Sequence, residues 1–126
     1  MPQIYIEFTQ NLLIDEIKND FVLKIHNVVN TVVGINIDNC KSRFLKIQDF
    51  YIGKGESNHA FMHIVIRFLD GRNPRIKRQL GKEVLELAQD RLKELGKGLK
   101  VQITVLIEDL PKKYYFKHPP GTFTTL

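Results

Sequence analysis

Residues 60–74 read AFMHIVIRFLDGRNP, and this stretch decides the architecture. Ala60, Met62, Ile64, Ile66 and Phe68 alternate with Phe61, His63, Val65 and Arg67, the period-two pattern of a strand with one apolar face. Its second face is mixed, better suited to a subunit contact or a site than to a dry core. Asn73 can cap a following helix, and Pro74 is preset for that helix's first position. Ile76, Leu80, Val84, Leu87, Leu92 and Leu95 then recur at helical spacing, and Gly96 is placed to close the helix. Val101, Ile103, Val105 and Ile107 alternate as a further strand, which Pro111 ends. The plan is strand, helix, strand.

The N-terminal half repeats it. Ile4, Ile6 and Phe8 alternate with Gln3, Tyr5 and Glu7. Ile14, Ile17, Phe21, Ile25, Val28 and Val32 form one helical stripe, and Gly34 is a natural stop. From Cys40 to about Tyr51 the chain reads as extended, and Gly53 to Gly55 mark a turn. A connection as long as a helix implies parallel strands within each β–α–β unit. The expected fold class is therefore α/β (α+β): two β–α–β units merged into one four-stranded mixed sheet with both helices on one face. A single domain over residues 1–126 is expected, with halves at about 2–52 and 58–110 and a C-terminal tail. The uncovered sheet face would stay exposed unless another subunit covered it, which argues for an oligomer.

Composition narrows the function classes. An apolar share of 43% and a charged share of 26% are ordinary for a globular protein. Net charge is +5, from 19 basic and 14 acidic residues, but the cations are dispersed among acids and not interleaved with aromatics. Nucleic acid is therefore not the expected partner. No segment approaches the ~20 apolar residues that span a bilayer, so no membrane partner is expected either. Glu7, Asp15 and Glu16 interrupt any secretory signal, and the lone Cys40 forms no internal disulfide. The expected location is the cytoplasm.

Three placements can carry chemistry. Pro2 follows Met1 at the head of the first strand, where proline's missing N–H costs no ladder bond. Its plain alternative is a stiff chain start; with Met1 removed, however, it presents a secondary amine. An α-amino group titrates near ~8, against ~10.4 for lysine, and burial or nearby cations lower it further. A neutral amine is a general base. With Met1 attached, the same nitrogen is an amide with no useful basicity. Arg72 stands at the strand-to-helix corner before the Asn73 cap, where free N–H groups and the guanidinium fork both favour a carboxylate. Its plain alternative is a surface arginine beside a cap. Lys41 and Arg43, two apart on an extended segment, share one side as an anion clamp or as a charged edge that blocks aggregation. His59 and His63 lie about 13 Å apart on a strand, too far to share one metal ion. No metal is expected.

Together, Pro2 after Met1, Lys41-Ser42-Arg43, Ala60-Phe61-Met62-His63 running to Gly71-Arg72, Ile107-Glu108-Asp109-Leu110 and Phe116-Lys117 resemble the 5-carboxymethyl-2-hydroxymuconate isomerase family of the tautomerase superfamily. The resemblance spans Pro2 to Lys117. It implies a homotrimer with active sites at subunit boundaries, no metal and no organic cofactor. It implies an isomerase of homoprotocatechuate breakdown acting on a small anionic unsaturated dicarboxylate or tricarboxylate, turning a 2-hydroxy-dienoate into its 2-oxo isomer. In that reading Pro2 shuttles the proton, and Arg72 holds carboxylate and steadies the dienolate charge. Lys41 stands where relatives usually carry arginine, keeping charge but losing the bidentate fork. Tyr115 stands where asparagine commonly precedes the Phe-Lys pair. Two alternatives stay open: another reaction of the superfamily, decarboxylation or dehalogenation with a protonated proline, and a non-catalytic binding module using the basic surface.

Overall fold

The computed structural model describes residues 1–123; the last three residues of the expected domain, 124–126, lie outside the described residues. In chain order it holds β1 (Gln3–Thr9), α1 (Lys18–Val33), β2 (Lys41–Ile47), β3 (His59–Leu69), α2 (Pro74–Leu92) and β4 (Lys100–Leu110). Short 3₁₀ turns occupy Ile37–Asn39 and Lys112–Tyr114. The strands form one sheet in the order β2-β1-β3-β4, with β1/β2 and β3/β4 parallel and β1/β3 antiparallel. This is the expected mixed sheet of two β–α–β units.

The periodicities explain the layers. Ile4, Ile6 and Phe8 of β1 and Ala60, Met62, Ile64, Ile66 and Phe68 of β3 are all buried on one face. Against them lie every fourth residue of α1, from Phe21 through Ile25 and Val29 to Val33, and of α2, from Leu80 through Val84 and Ala88 to Leu92. Each of these side chains larger than alanine contributes about 1.5–3 kcal/mol through removal from water. Gly34 ends α1 in the left-handed conformation (φ 81°), and its N–H donates to the carbonyl of Asn30. The Asn73 side chain accepts from the Arg75 N–H at 2.8 Å, with Pro74 at the first helical turn. Both helix signals act as the sequence implied.

Three boundaries differ. Residues around Ile14 do not begin the helix; Leu12 and Ile14 are buried in a turn, and α1 starts at Lys18. The extended run after Cys40 stops at Ile47, because β1, its one neighbour on the sheet among the described residues, itself ends at Thr9. Gly96 does not close α2; the helix ends at Leu92, and the positive φ (81°) falls at Gly98.

The pairing pattern gathers the candidate residues. Because β1 and β3 are antiparallel, the head of β1 meets the tail of β3, with Gln3 opposite Arg67. The parallel outer pairs bring the first residue of β2, Lys41, beside Gln3 and the last of β4, Leu110, beside Leu69. One end of the sheet therefore collects Pro2, Lys41, the Gly71-Arg72 corner and the tail beyond Pro111. Gly71 makes that corner at φ 97°, a region costly for any residue with a Cβ. Gly71→Ala is expected to lose about 1–3 kcal/mol of stability, read by urea denaturation. The added methyl itself would meet only the flexible end of Lys112, at 3.4 Å, so the loss reports backbone strain rather than a clash.

Candidate active site

Pro2 is buried at the head of β1, and its carbonyl accepts the Lys41 N–H at 3.1 Å. Its own nitrogen is in a peptide bond with Met1. The Met1 amine shows what this position does to a basic nitrogen. Burial, then a hydrogen bond with Lys41, then the charges of Lys41 and Lys117 drive it from the ordinary 8.0 to about 5. Cys40 opposes only weakly; burial pushes its thiol up, against the pull of Lys41 and the terminal amine. These causes favour the neutral form of the Met1 amine.

Lys41 lies on the uncovered face, in register with Gln3, and its Nζ donates to the Asn39 carbonyl at 2.6 Å. Arg43, also on that face, stacks over the Tyr5 ring at 4.3 Å. Its Nη2 donates to Gln3 Oε1 at 2.8 Å. Arg67 approaches the same ring at 5.2 Å and pairs with Glu108 at 3.6 Å. Arg72 sits differently. Its Nη1 donates to the Val33 carbonyl at 3.5 Å, where a cation complements the C-terminal end of α1, and its guanidinium stands 5.9 Å over the Phe68 ring. Among the described residues no hydrogen bond joins Arg72 to Pro2, Lys41 or Arg43. The structure thus brings Pro2 and Lys41 together, sets Arg43 one strand step further along, and leaves Arg72 at the same sheet end by a separate attachment.

Gln3 and Asn39 carry no role in the sequence reading, and Tyr115 and Lys117 enter it only through the resemblance. Gln3 is fixed on both sides: its amide oxygen takes Arg43, and its Nε2 donates to the Tyr115 hydroxyl at 2.8 Å. Lys117 donates to Asn39 Oδ1 at 2.9 Å. The tail beyond β4 therefore folds back across the chain head. No local pattern announces this, since Gln3 and Tyr115 are 112 positions apart.

A groove of about 680 Å³ runs elsewhere, between α2 and the edge strand β4, past Leu92, Val101 and Ile103. None of the candidate residues lines it, so it is a seam beside an edge strand and not the site. No helix among the described residues is long and apolar enough to cross a membrane.

A family model described as 5-carboxymethyl-2-hydroxymuconate isomerase matches residues 2–120. Among curated proteins nothing matches. Solved structures give the fold. A 5-carboxymethyl-2-hydroxymuconate isomerase from Deinococcus radiodurans R1 superposes with a TM-score of 0.85 at 17% identity, covering 94% of this chain and 90% of that one. A 5-carboxymethyl-2-hydroxymuconate delta-isomerase gives 0.70 at 20% identity, covering 96% and 89%. A fused 4-OT wild-type symmetric trimer gives 0.72 at 18%, covering 89% and 88%.

Proposed function

Since this chain belongs to the 5-carboxymethyl-2-hydroxymuconate isomerase family and is an isomerase of tautomerase type, we propose that Pro2, freed of Met1, is the base that isomerises a 2-hydroxy-dienoate. The neutral ring nitrogen takes the proton from the 2-hydroxyl, the oxygen electrons form the C2 carbonyl, and the double bonds shift along the chain. The same nitrogen then returns its proton to the distal carbon, giving the 2-oxo-enoate. One O–H bond breaks and one C–H bond forms, so the step is redox-neutral and needs no cofactor. Arg72 takes a substrate carboxylate, with Lys41 and Arg43 as further cations for a dicarboxylate or tricarboxylate. The single observation behind this reading is the buried seat of Pro2 beside Lys41, a position that pushes a terminal amine down from 8.0 to about 5. The same environment opposes decarboxylation or dehalogenation by a protonated proline.

The proposal extends to assembly and setting. Leu45 and Leu106 are 42% and 44% exposed on the uncovered face, in register with Glu7 and Val65, beside the Tyr5 stack. A homotrimer would cover them, and the fused 4-OT likeness supports that arrangement. The family points to homoprotocatechuate breakdown in the cytoplasm, with residues 1–126 working as one domain.

Loss of the ultraviolet absorbance of a 2-hydroxy-dienoate tests the reading. Processed wild type is expected to convert it, and no conversion overturns the proposal. Arg72→Ala is expected to lower kcat/KM by roughly 10–100-fold, the worth of hydrogen bonds to a charged group. An unchanged kcat/KM would remove Arg72 from the substrate.

A further inference from the structure

At the chain head, the least explained arrangement is a pair of ammonium groups, Lys41 and Lys117, held by one asparagine. Asn39 accepts Lys41 Nζ on its backbone carbonyl at 2.6 Å and Lys117 Nζ on its side-chain oxygen at 2.9 Å. Two like charges are thereby drawn to one residue, which is unfavourable unless something of opposite sign joins them. Among the described residues neither lysine forms an ion pair with a carboxylate, although lysines 18, 24, 46, 77, 93 and 97 all do. Each ammonium spends one donor on Asn39, and Lys41 also hydrogen-bonds the chain-head amine, so each keeps at least one donor for a ligand. Both charges also act on the chain-head amine, which places them at the proposed reacting centre.

Lys117 reaches this position because the tail is anchored. Pro111 ends β4, the 3₁₀ turn Lys112–Tyr114 reverses the chain, and Tyr115 accepts the Gln3 amide. The tail is a strap carrying a cation from the far end of the sequence to the start of β1.

We propose that Lys117 and Lys41 form a clamp for a second substrate carboxylate, making Lys117 a specificity-determining residue for dicarboxylates. This rests on the isomerase reading above and narrows its substrate class.

Two dienols separate the possibilities: a 2-hydroxy-2,4-dienoate with a second carboxylate at its far end, and the same dienoate without it. At a pH where the chain-head amine is neutral with or without Lys117, Lys117→Ala is expected to raise KM for the dicarboxylate about tenfold relative to the monocarboxylate, and Lys117→Arg to restore most of the loss. An equal effect on both substrates, or none, overturns the clamp while leaving the isomerase reading standing. If processed wild type converts neither dienol, the isomerase reading fails and the clamp is read by calorimetry with hexa-2,4-dienedioate. Binding weakened about tenfold by Lys117→Ala then supports it; no binding to wild type, or equal binding, overturns it.

Discussion

Removing Met1 is expected to raise the rate of dienol conversion by about 10²–10⁴-fold, the usual range for a positioned general base. With Met1 attached the Pro2 nitrogen is an amide, whose lone pair is delocalised into the carbonyl. Once freed, it becomes a secondary amine at the chain head where burial, Lys41 and Lys117 already hold a terminal amine at about 5 instead of 8.0. The sign follows from the charge. These causes disfavour the protonated form, so the base is active while neutral, and kcat/KM falls as pH drops through its pKa. The acid limb should therefore lie below the ~8 of a free α-amine. Lys41→Ala removes a donor and a positive charge, so the limb should move to higher pH; burial, the larger cause, keeps it from moving all the way. Pro2→Ala leaves a primary amine of different geometry, and its activity is expected between the two forms. Aminopeptidase treatment followed by mass spectrometry and the absorbance assay measures all of this. A methionine-bearing chain as active as the processed one would end the role of Pro2.

Phe68→Ala is expected to destabilise the fold by about 3–5 kcal/mol, because it empties a site with no route for solvent or for full collapse. Phe68 is 0% exposed among the inward residues of β3, while Phe116 on the tail is 89% exposed. Phe116→Ala should stay within about 0.5 kcal/mol, so the pair separates burial from residue type. Phe68 also lies beneath the Arg72 guanidinium, and its loss removes a support for that side chain. Urea denaturation of both variants is the measurement; a loss under about 1 kcal/mol for Phe68→Ala would mean that the layer is packed otherwise.

Much of this arrangement is legible in the chain itself because the signals are local. Alternation at Ala60 to Phe68 has to bury one face of a strand, and the four-residue spacing from Phe21 to Val33 has to bury one stripe of a helix. Gly34 and Asn73 terminate and start helices through their own backbone or side chain, so neighbours hardly matter. The misplaced boundaries are those where a neighbour decides. Apolar spacing alone cannot tell Ile14 in a buried turn from Ile14 in a helix, and β2 ends where β1 stops offering partners. At the site, Pro2, Lys41, Arg43 and Arg72 stand out by residue type and position, and antiparallel pairing of the two halves brings their segments to one end of the sheet.

The sequence by itself thus settled the elements, their two-fold repetition and the family, all of which depend on patterns read within a few residues. Only the tertiary structure decided that Tyr115 would meet Gln3, that Lys117 would share Asn39 with Lys41, and that Arg72 would rest on Val33 and Phe68. Those contacts join positions between two and 112 residues apart. The long ones form only after strand order and register have fixed which chain ends come together, and that choice belongs to packing of the whole sheet rather than to any local pattern.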